Sequence, residues 1–244
     1  NSETGKVEWK KALGAMFLSN PVIEGDYIYM GNSDNMIYAL SKIDGSTIWS
    51  FKVKSTIGAT ITIYKDMILA GFEDNNLYAL NREDGSLIWK YKAENRIIGS
   101  SPVVDNEIVY FGDYSGNLYA VNINGNLKWK YSSGARISST AVVYREIICF
   151  VNGDGTLIAL NEEGSKIWEK DIKVKPDIIP YIYNETIYIG GNENRVLSLD
   201  IKTGKEISSR EIKAPATSTV IIIENKLIIG MNNNSLGIYD LNLE

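Results

Sequence analysis

The fold is decided by the stretch Ala79-Leu80-Asn81-Arg82-Glu83-Asp84-Gly85-Ser86-Leu87-Ile88-Trp89. Versions of this stretch recur along the whole chain. A tryptophan follows a glycine by four residues in five places, at a spacing of about 40 residues. The pairs are Gly5 and Trp9, Gly45 and Trp49, Gly85 and Trp89, Gly125 and Trp129, and Gly164 and Trp168. A sixth copy has Gly204, with Ser208 in place of the tryptophan. The chain therefore consists of one repeated unit.

Each unit contains four short runs rich in β-branched and aromatic residues, separated by Gly, Asn and Asp turns. In the third unit these runs are Ser100–Val104, Ile108–Phe111, Asn117–Asn122 and Leu127–Tyr131. No segment has the sustained 3.6-residue pattern of a helix. A radially repeated four-stranded unit of about 40 residues is a β-propeller blade. The sequence predicts an all-β, single-domain propeller over residues 1–244 with six four-stranded blades.

The two ends of the chain predict how the ring closes. Residues 5–11 match only the fourth strand of a unit, and residues 217–241 match only the first three. We expect the N-terminal strand to complete the last blade, which would leave no unpaired sheet edge. The alternative is a longer propeller that has been cut at a blade boundary.

The pattern Ala-x-Asn-x-x-Asp-Gly-Ser-x-x-Trp at Ala79–Trp89 closely resembles the tryptophan-docking repeat of the pyrroloquinoline-quinone-type (PQQ-like) propellers. Thr4-Gly5-Lys6 and Thr203-Gly204-Lys205 are similar to the Thr-Gly-Lys turn of that family. The family includes quinoprotein dehydrogenases, a bacterial outer-membrane barrel-assembly lipoprotein and scaffold domains. The resemblance covers nearly the whole chain, and it implies the fold more strongly than a function. It also implies an exported or periplasmic location, although the sequence does not fix the compartment.

The repeated tryptophans and glycines are predicted to be structural. Each tryptophan would bury ~150–250 Å² against the neighbouring blade, and each glycine would supply a positive φ in the turn between the third and fourth strands. The blade-docking set is Trp9, Trp49, Trp89, Trp129, Trp168, Gly45, Gly85, Gly125, Gly164 and Gly204.

Composition excludes several classes of function. The net charge of −5 argues against a nucleic-acid binder, and no apolar run is long enough to cross a membrane. Histidine is absent, which removes histidine-based acid–base catalysis and histidine metal ligands. The single cysteine, Cys149, lies in an apolar run and is predicted to be a buried small hydrophobe.

Catalysis and cofactor binding are not expected. The quinone-dependent members of the family carry a disulfide between adjacent cysteines, which this chain cannot form, so neither PQQ nor its calcium ion is anticipated. Four loops rich in acid and amide side chains could bind calcium or could simply form tight turns. They are Asn32–Asn35, Glu73–Asn75, Asn152–Asp154 and Asn192–Asn194. A glycosidase-type carboxylate pair across the channel is a further possibility that the sequence does not place.

One face of the propeller is the predicted binding surface. The segments that precede the first strands contain Phe17-Leu18, Ile57, Arg96, Arg136 and Pro176-Asp177, and the facing loops add Phe72, Tyr114 and Arg195. One interpretation is a face for a protein or peptide formed by Arg96, Arg136, Arg195, Tyr114 and Phe72. The other is that the apolar residues fill the central channel while the arginines pair with loop acids. The favoured function is a monomeric, non-catalytic interaction scaffold; the alternative is a PQQ- or other ligand-binding domain, degenerate or part of a larger oxidoreductase.

Overall fold

Twenty-three β-strands form six antiparallel sheets in the computed structural model, which describes residues 3–17, 19–174, 178–191 and 193–241. No helix occurs within these ranges. Five sheets have four strands and the sixth has three. In every sheet the strands follow one another in chain order, so each is paired with its neighbour through a short hairpin. The prediction of an all-β chain with six repeated sheets is confirmed.

The strands fall into four sets according to their place in the sheet. The first strands are β1 (Val22–Glu24), β5 (Thr62–Tyr64), β9 (Val103–Asp105), β13 (Val142–Tyr144), β17 (Tyr181–Tyr183) and β21 (Ile221–Ile223). The second strands are β2 (Tyr27–Gly31), β6 (Met67–Gly71), β10 (Ile108–Gly112), β14 (Ile147–Val151), β18 (Thr186–Gly190) and β22 (Lys226–Met231). The third strands are β3 (Met36–Ser41), β7 (Asn76–Asn81), β11 (Asn117–Asn122), β15 (Thr156–Leu160), β19 (Arg195–Asp200) and β23 (Ser235–Asp240). The fourth strands are β4 (Thr47–Lys52), β8 (Leu87–Lys92), β12 (Leu127–Ser132), β16 (Lys166–Asp171) and β20 (Glu206–Glu211).

Turn residues fix the first hairpin of the sheets. Asn106 and Glu107 join β9 to β10 with φ of 45° and 63°, and Asn225 has a φ of 61° between β21 and β22. Two successive positive φ angles are the signature of the tight hairpin turn whose twist matches that of the strands. Between the third and fourth strands the register shifts by one residue in all five four-stranded sheets, as it does at Ala79 and Leu80. This irregularity recurs because the sequence of the turn recurs.

The core lies between consecutive sheets. Each of five clusters of buried side chains joins one sheet to the next, as where Ile37 of the first sheet packs in one cluster with Ile68 of the second. Period-two alternation places one set of apolar side chains on each face of a strand, so both faces of an inner sheet are covered. At the start of the second, third and fourth units Ile57, Ile97 and Ile137 pack against the sites where Gly31, Gly71 and Gly112 lack a side chain.

The sixth sheet departs from the prediction of four strands in every unit. Residues 5–11 form no strand, and β23 pairs with β22 alone among the described residues. The segment lies instead against the first sheet, where Trp9 Nε1 donates to the carbonyl of Lys42 over 2.9 Å and Lys11 Nζ donates to Thr47 Oγ1 over 2.8 Å. The expected pairing of the N-terminal segment with the last sheet is therefore not present in the described part of the chain.

Candidate functional site

Two arginine side chains of neighbouring repeats stack on one tyrosine ring. The Arg96 guanidinium carbon lies 4.5 Å from the centre of the Tyr114 ring, and that of Arg136 lies 5.5 Å from it. Both arginines are exposed and Tyr114 is half-buried. A guanidinium over an aromatic face gains ~0.5–1 kcal/mol at an exposed site. We call these three residues the Arg–Tyr–Arg cluster.

Backbone hydrogen bonds position all three residues of the cluster. The amide of Tyr114 donates to the carbonyl of Arg96 over 3.0 Å, which fixes the loop after β10 against the segment before β9. The next repeat makes the equivalent bond, from the amide of Gly153 to the carbonyl of Arg136 over 2.7 Å. A Cβ on Gly153 would lie 2.8 Å from Arg136 Cγ, so the glycine leaves room for the arginine stem. The backbone of all three cluster residues is therefore held by hydrogen bonds between loops.

Asp113 is the residue that ties these loops together. Its side chain is fully buried, and Oδ2 accepts from the amide of Asn95 over 3.2 Å and from the hydroxyl of Tyr119 over 2.8 Å. Its own carbonyl accepts from the amide of Ile137 over 3.0 Å. Asn95 and Ile137 are the neighbours in sequence of Arg96 and Arg136, so one residue holds both arginine segments. The pKa of Tyr119 is raised, chiefly by burial.

Sequence reasoning missed the role of Asp113. Asn32 and Asn152 occupy the same position in other repeats and accept the same two loop amides through Oδ1. Asp113 does this as well, through bonds of 2.9 Å and 3.0 Å from Ser115 and Asn117, and its second oxygen is available for Tyr119 and Asn95. An Asp where the first and fourth repeats have Asn was the available signal.

The Arg–Tyr–Arg cluster is a site of positive charge on an acidic protein. Within the described ranges neither guanidinium forms an ion pair with a carboxylate. The acid closest in sequence, Glu94, pairs with Lys130, which lowers the pKa of its carboxyl. Both arginines therefore keep their donors available to a partner.

The other two residues predicted for this face lie elsewhere. Arg195 pairs with Glu193 and lines a cavity of about 400 Å³ with Glu211 and Ile212. No contact in the described structure joins it to the cluster. The prediction is wrong for Phe72, which is fully buried because its ring packs edge-on against Tyr78 at 5.2 Å between centroids. Leu18, Pro176 and Asp177 lie outside the described residues.

Each tryptophan of the repeat contacts the glycine of the next repeat. Ring atoms of Trp49 lie 2.6 Å from the site that a Cβ on Gly85 would occupy, and its Nε1 donates to the carbonyl of Arg82 over 2.9 Å. The same relation joins Trp9 to Gly45, Trp89 to Gly125, Trp129 to Gly164 and Trp168 to Gly204. All five of these glycines have positive φ, between 66° and 83°, as the sequence predicts.

Cys149 and the acid and amide loops are the residues that bear on the quinone and calcium sites of the dehydrogenases. Cys149 is fully buried, and burial raises the pKa of its thiol from 9.0 to about 12. Within the part of the chain that the structure describes, no group of three acidic or cysteine side chains could hold a metal ion. In three of the four loops considered for calcium, a side-chain oxygen accepts a hydrogen bond from the backbone amide two residues on; these are the Oδ1 atoms of Asn32, Asp74 and Asn152. Asn192 lies outside the described residues.

Comparison with known proteins identifies the family. The sequence profile described as outer membrane protein assembly factor BamB matches residues 1–124 and 73–242. The chain belongs to the BamB family. A search of curated proteins finds no match to it. No helix in the described ranges has the length and apolar character needed to cross a bilayer.

Solved structures extend the similarity to the fold. BamB from Moraxella catarrhalis superposes with a TM-score of 0.82 at 19% sequence identity, over 98% of this chain and 77% of that chain. The computationally designed protein Ika8 superposes with a TM-score of 0.77 at 13% identity, over 93% of this chain and 71% of that one. At these identities the match shows the fold, a PQQ-like repeat β-propeller arrangement of sheets.

Proposed function

We propose that this BamB-family chain is a non-catalytic scaffold that binds another protein through the Arg–Tyr–Arg cluster. The observation that carries the proposal is the stacking of two exposed guanidinium groups on Tyr114, with no ion pair of their own in the described structure. Arginine and tyrosine are the side chains most enriched in the energetic centres of protein interfaces. Their backbone is fixed before binding, which lowers the entropy lost on association.

The chemistry of the cluster favours an acidic segment of the partner. A guanidinium binds a carboxylate through two parallel hydrogen bonds, and such charge-assisted bonds are about twice as strong as neutral ones. The Tyr114 ring between Arg96 and Arg136 supplies apolar area and holds the two guanidinium groups in place. The partner segment would therefore present two carboxylates on either side of an apolar side chain.

Membership of the BamB family supports an exported location and a role in outer-membrane assembly. The name of the matched family, outer membrane protein assembly factor, supports an exported protein that acts with the machinery of outer-membrane assembly. We further propose a monomer that needs neither PQQ nor calcium, since the single thiol is buried and Oδ1 of Asn32, Asp74 and Asn152 already accepts a turn amide.

The test is affinity capture from an envelope extract of the source cells, followed by identification and quantification of the bound protein. We expect Arg96→Glu combined with Arg136→Glu to lower capture by at least ten-fold while the melting temperature stays within ~2 °C. Added salt should weaken capture by the wild-type chain, because exposed charge pairs are screened.

A matched control keeps the same change in charge on a different surface. Lys90 and Lys128 are exposed on the fourth strands of the second and third sheets, away from the cluster's loops. Lys90→Glu with Lys128→Glu should capture the partner as the wild type does. Equal capture by all three proteins would exclude the cluster as the binding site. If both double variants lost capture, the loss would be due to the changed net charge and not to the cluster.

A further inference from the structure

The fourth strand of each four-stranded sheet is an edge strand, paired with the third strand alone among the described residues. In β8 the ring of Trp89 faces the next sheet, where it lies over Gly125. Side chains alternate along a strand, so Lys90 and Lys92 project from the opposite side, and both are exposed. We call this opposite side of a fourth strand its open side.

Charge on the open sides divides by sign from sheet to sheet. In the first three sheets the charged residues of the open sides are all cations, namely Lys52, Lys90, Lys92 and Lys130. In the fourth and fifth sheets they are all anions, namely Glu169, Asp171 and Glu211. Lys128, at the β-bulge of the third sheet, is a further exposed lysine of β12. Together β4, β8 and β12 contain five lysines and no acid.

Contacts between neighbouring sheets join these three strands into one surface. Trp49 of β4 lies over Gly85, in the turn before β8. Lys130 of β12 pairs with Glu94, two residues after the end of β8. Within the described ranges the other four lysines form no ion pair with a carboxylate. Most of this positive charge is therefore available to a partner.

Two exposed isoleucines add apolar area to the same surface. Ile48 of β4 is 46% exposed and Ile88 of β8 is 48% exposed. Each stands at the β-bulge that ends the pairing with the third strand. We call the five lysines of β4, β8 and β12, together with Ile48 and Ile88, the lysine edge.

Protection of the sheet edge does not account for this arrangement. Charged side chains on an edge strand prevent its pairing with a strand of another protein, and lysine is often used for this purpose. Charge of either sign serves that role, as the acids of β16 and β20 show. It does not require that three consecutive edges carry lysine alone in a protein whose net charge is −5. Segregation by sign creates a field that attracts and orients an anionic surface.

The chemistry of the lysine edge fits a lipid surface better than a protein. Protein interfaces concentrate their binding energy in tryptophan, tyrosine and arginine, whereas the lysine edge offers only lysine and isoleucine. Lysine is a compact point charge on a flexible stem, without the fork by which arginine grips a single carboxylate. Its charge is spread over three sheets, as a diffuse layer of anionic headgroups requires. The two isoleucines could enter the headgroup region beside the lysines.

We propose that the lysine edge binds the surface of an anionic phospholipid bilayer. The first three sheets would stand on the bilayer by their fourth strands. The loops of the Arg–Tyr–Arg cluster would then stay free of lipid, so that the chain could hold the bilayer and a protein partner at the same time. The inference depends on the charge of the fourth strands and not on the proposed function of the cluster.

The test is flotation of the purified chain with vesicles made of equal parts of phosphatidylglycerol and phosphatidylcholine, at low salt. We expect binding at least about ten-fold stronger than to vesicles of phosphatidylcholine alone, because each lysine near an anionic surface strengthens binding about five-fold. Salt at about 0.5 M should remove most of this binding, since it screens the charges. Lys90→Glu with Lys128→Glu should weaken binding at least about ten-fold, while the melting temperature stays within ~2 °C.

Three further variants separate the lysine edge from other causes. Arg96→Glu with Arg136→Glu makes the same change in net charge and should bind the vesicles as the wild type does. Lys90→Gln with Lys128→Gln removes charge without reversing it, so it should give an intermediate loss and serves if the glutamate variant does not fold. Ile48→Ser with Ile88→Ser keeps the charge and should weaken binding several-fold, because it removes the apolar contact.

Three outcomes would overturn the proposal. The first is a wild-type chain that does not float with the anionic vesicles. The second is equal binding by the wild type and the lysine variants, and the third is an equal loss in the lysine and arginine double variants, which would reflect net charge alone. If the wild type does not float and Lys90→Glu with Lys128→Glu loses partner capture, the occupant of the edge is an acidic protein. Flotation and capture are measured separately, so failure of either proposal leaves the other standing.

Discussion

The indole ring of Trp89 lies over Gly125, and its Nε1 donates a hydrogen bond of 2.8 Å to the carbonyl of Ile123. Both partners belong to the turn that joins the third and fourth strands of the next sheet, and Gly125 has a φ of 83°. One side chain therefore contacts a turn that needs glycine for two reasons, backbone conformation and space. This pairing occurs five times, so each tryptophan–glycine repeat in the sequence corresponds to one contact between neighbouring repeats in the structure.

Gly125→Ala should destabilise the chain by about 2–5 kcal/mol. A Cβ would meet Trp89 at 2.8 Å, and forcing an extra carbon into packed surroundings costs ~1–3 kcal/mol beyond the ~1–2 kcal/mol of a left-handed backbone. Gly134→Ala is the matched control, since Gly134 has a φ of 80° with nothing within 4 Å of the added carbon. Urea denaturation should show a smaller loss of unfolding free energy for Gly134→Ala than for Gly125→Ala. Equal losses would mean that contact with the Trp89 ring has no energetic effect.

Trp49→Ala should lower the free energy of unfolding by ~3–5 kcal/mol, the usual loss for a large buried aromatic residue. Trp49 is only 8% exposed and also contacts Tyr29, at 6.0 Å between ring centroids. Trp9→Ala should have a distinctly smaller effect, because Trp9 makes the same contact from a segment that belongs to no sheet. The urea midpoints of the two variants measure this difference. A larger loss of stability in Trp9→Ala than in Trp49→Ala would contradict the structure.

Asp113→Ala should destabilise the chain by ~3–5 kcal/mol, because it leaves several buried donors without an acceptor. Asp113→Asn should cost less, since its Oδ1 can still accept from Ser115 and Asn117 as Asn152 does in the next repeat. Both variants should also weaken partner capture, because the Asp113 side chain holds the segment of Arg96 by accepting a hydrogen bond from the amide of Asn95. Stability measured by urea denaturation and capture measured separately distinguish the two effects. Full stability of Asp113→Ala would contradict the network.

The chain should lose stability as the pH rises from about 9 to 12. Burial raises the pKa of the Cys149 thiol from 9.0 to about 12 and that of the Tyr110 hydroxyl from 10.0 to about 12. In this range the unfolded chain releases protons that the folded chain keeps, so the free energy of unfolding falls as the pH rises. The fall should be smaller in Cys149→Ala. In native protein at pH 8 the thiol should also resist a thiol reagent that labels it rapidly in urea; rapid native labelling would show that Cys149 is accessible.

Much of the fold could be predicted because every unit repeats the same local rules. Gly85 and Trp89 mark one turn and one strand, and the same spacing elsewhere marks the others, so six sheets follow from one unit. Alternation of apolar residues then predicts which side chains face the neighbouring sheets. The fourth strand of the sixth sheet could not be predicted, because residues 5–11 match that strand in sequence whether or not they lie beside β23.

The site was predicted only in part, for reasons of packing. Arg96 and Arg136 stand at the same place in adjacent units, so the repeat itself brings them to one face. Phe72 stands where other units have Asn32, Asp113 and Asn152, and its loop position suggested exposure. Its contact with Tyr78 of the same sheet buries it, and no local pattern carries that information. The tie between Asp113 and both arginine segments likewise depends on bonds between separate loops.

The five clusters of buried side chains between consecutive sheets determine the order in which the molecule unfolds. Among the described residues each buried cluster joins a sheet to its immediate neighbour, so stability should be close to a sum over adjacent pairs, as in other linear repeat arrays. The third and fourth sheets have neighbours on both sides, whereas the first and sixth have one each. The array should therefore fray inward from both ends, and its middle should be the last part to exchange its amide hydrogens with solvent.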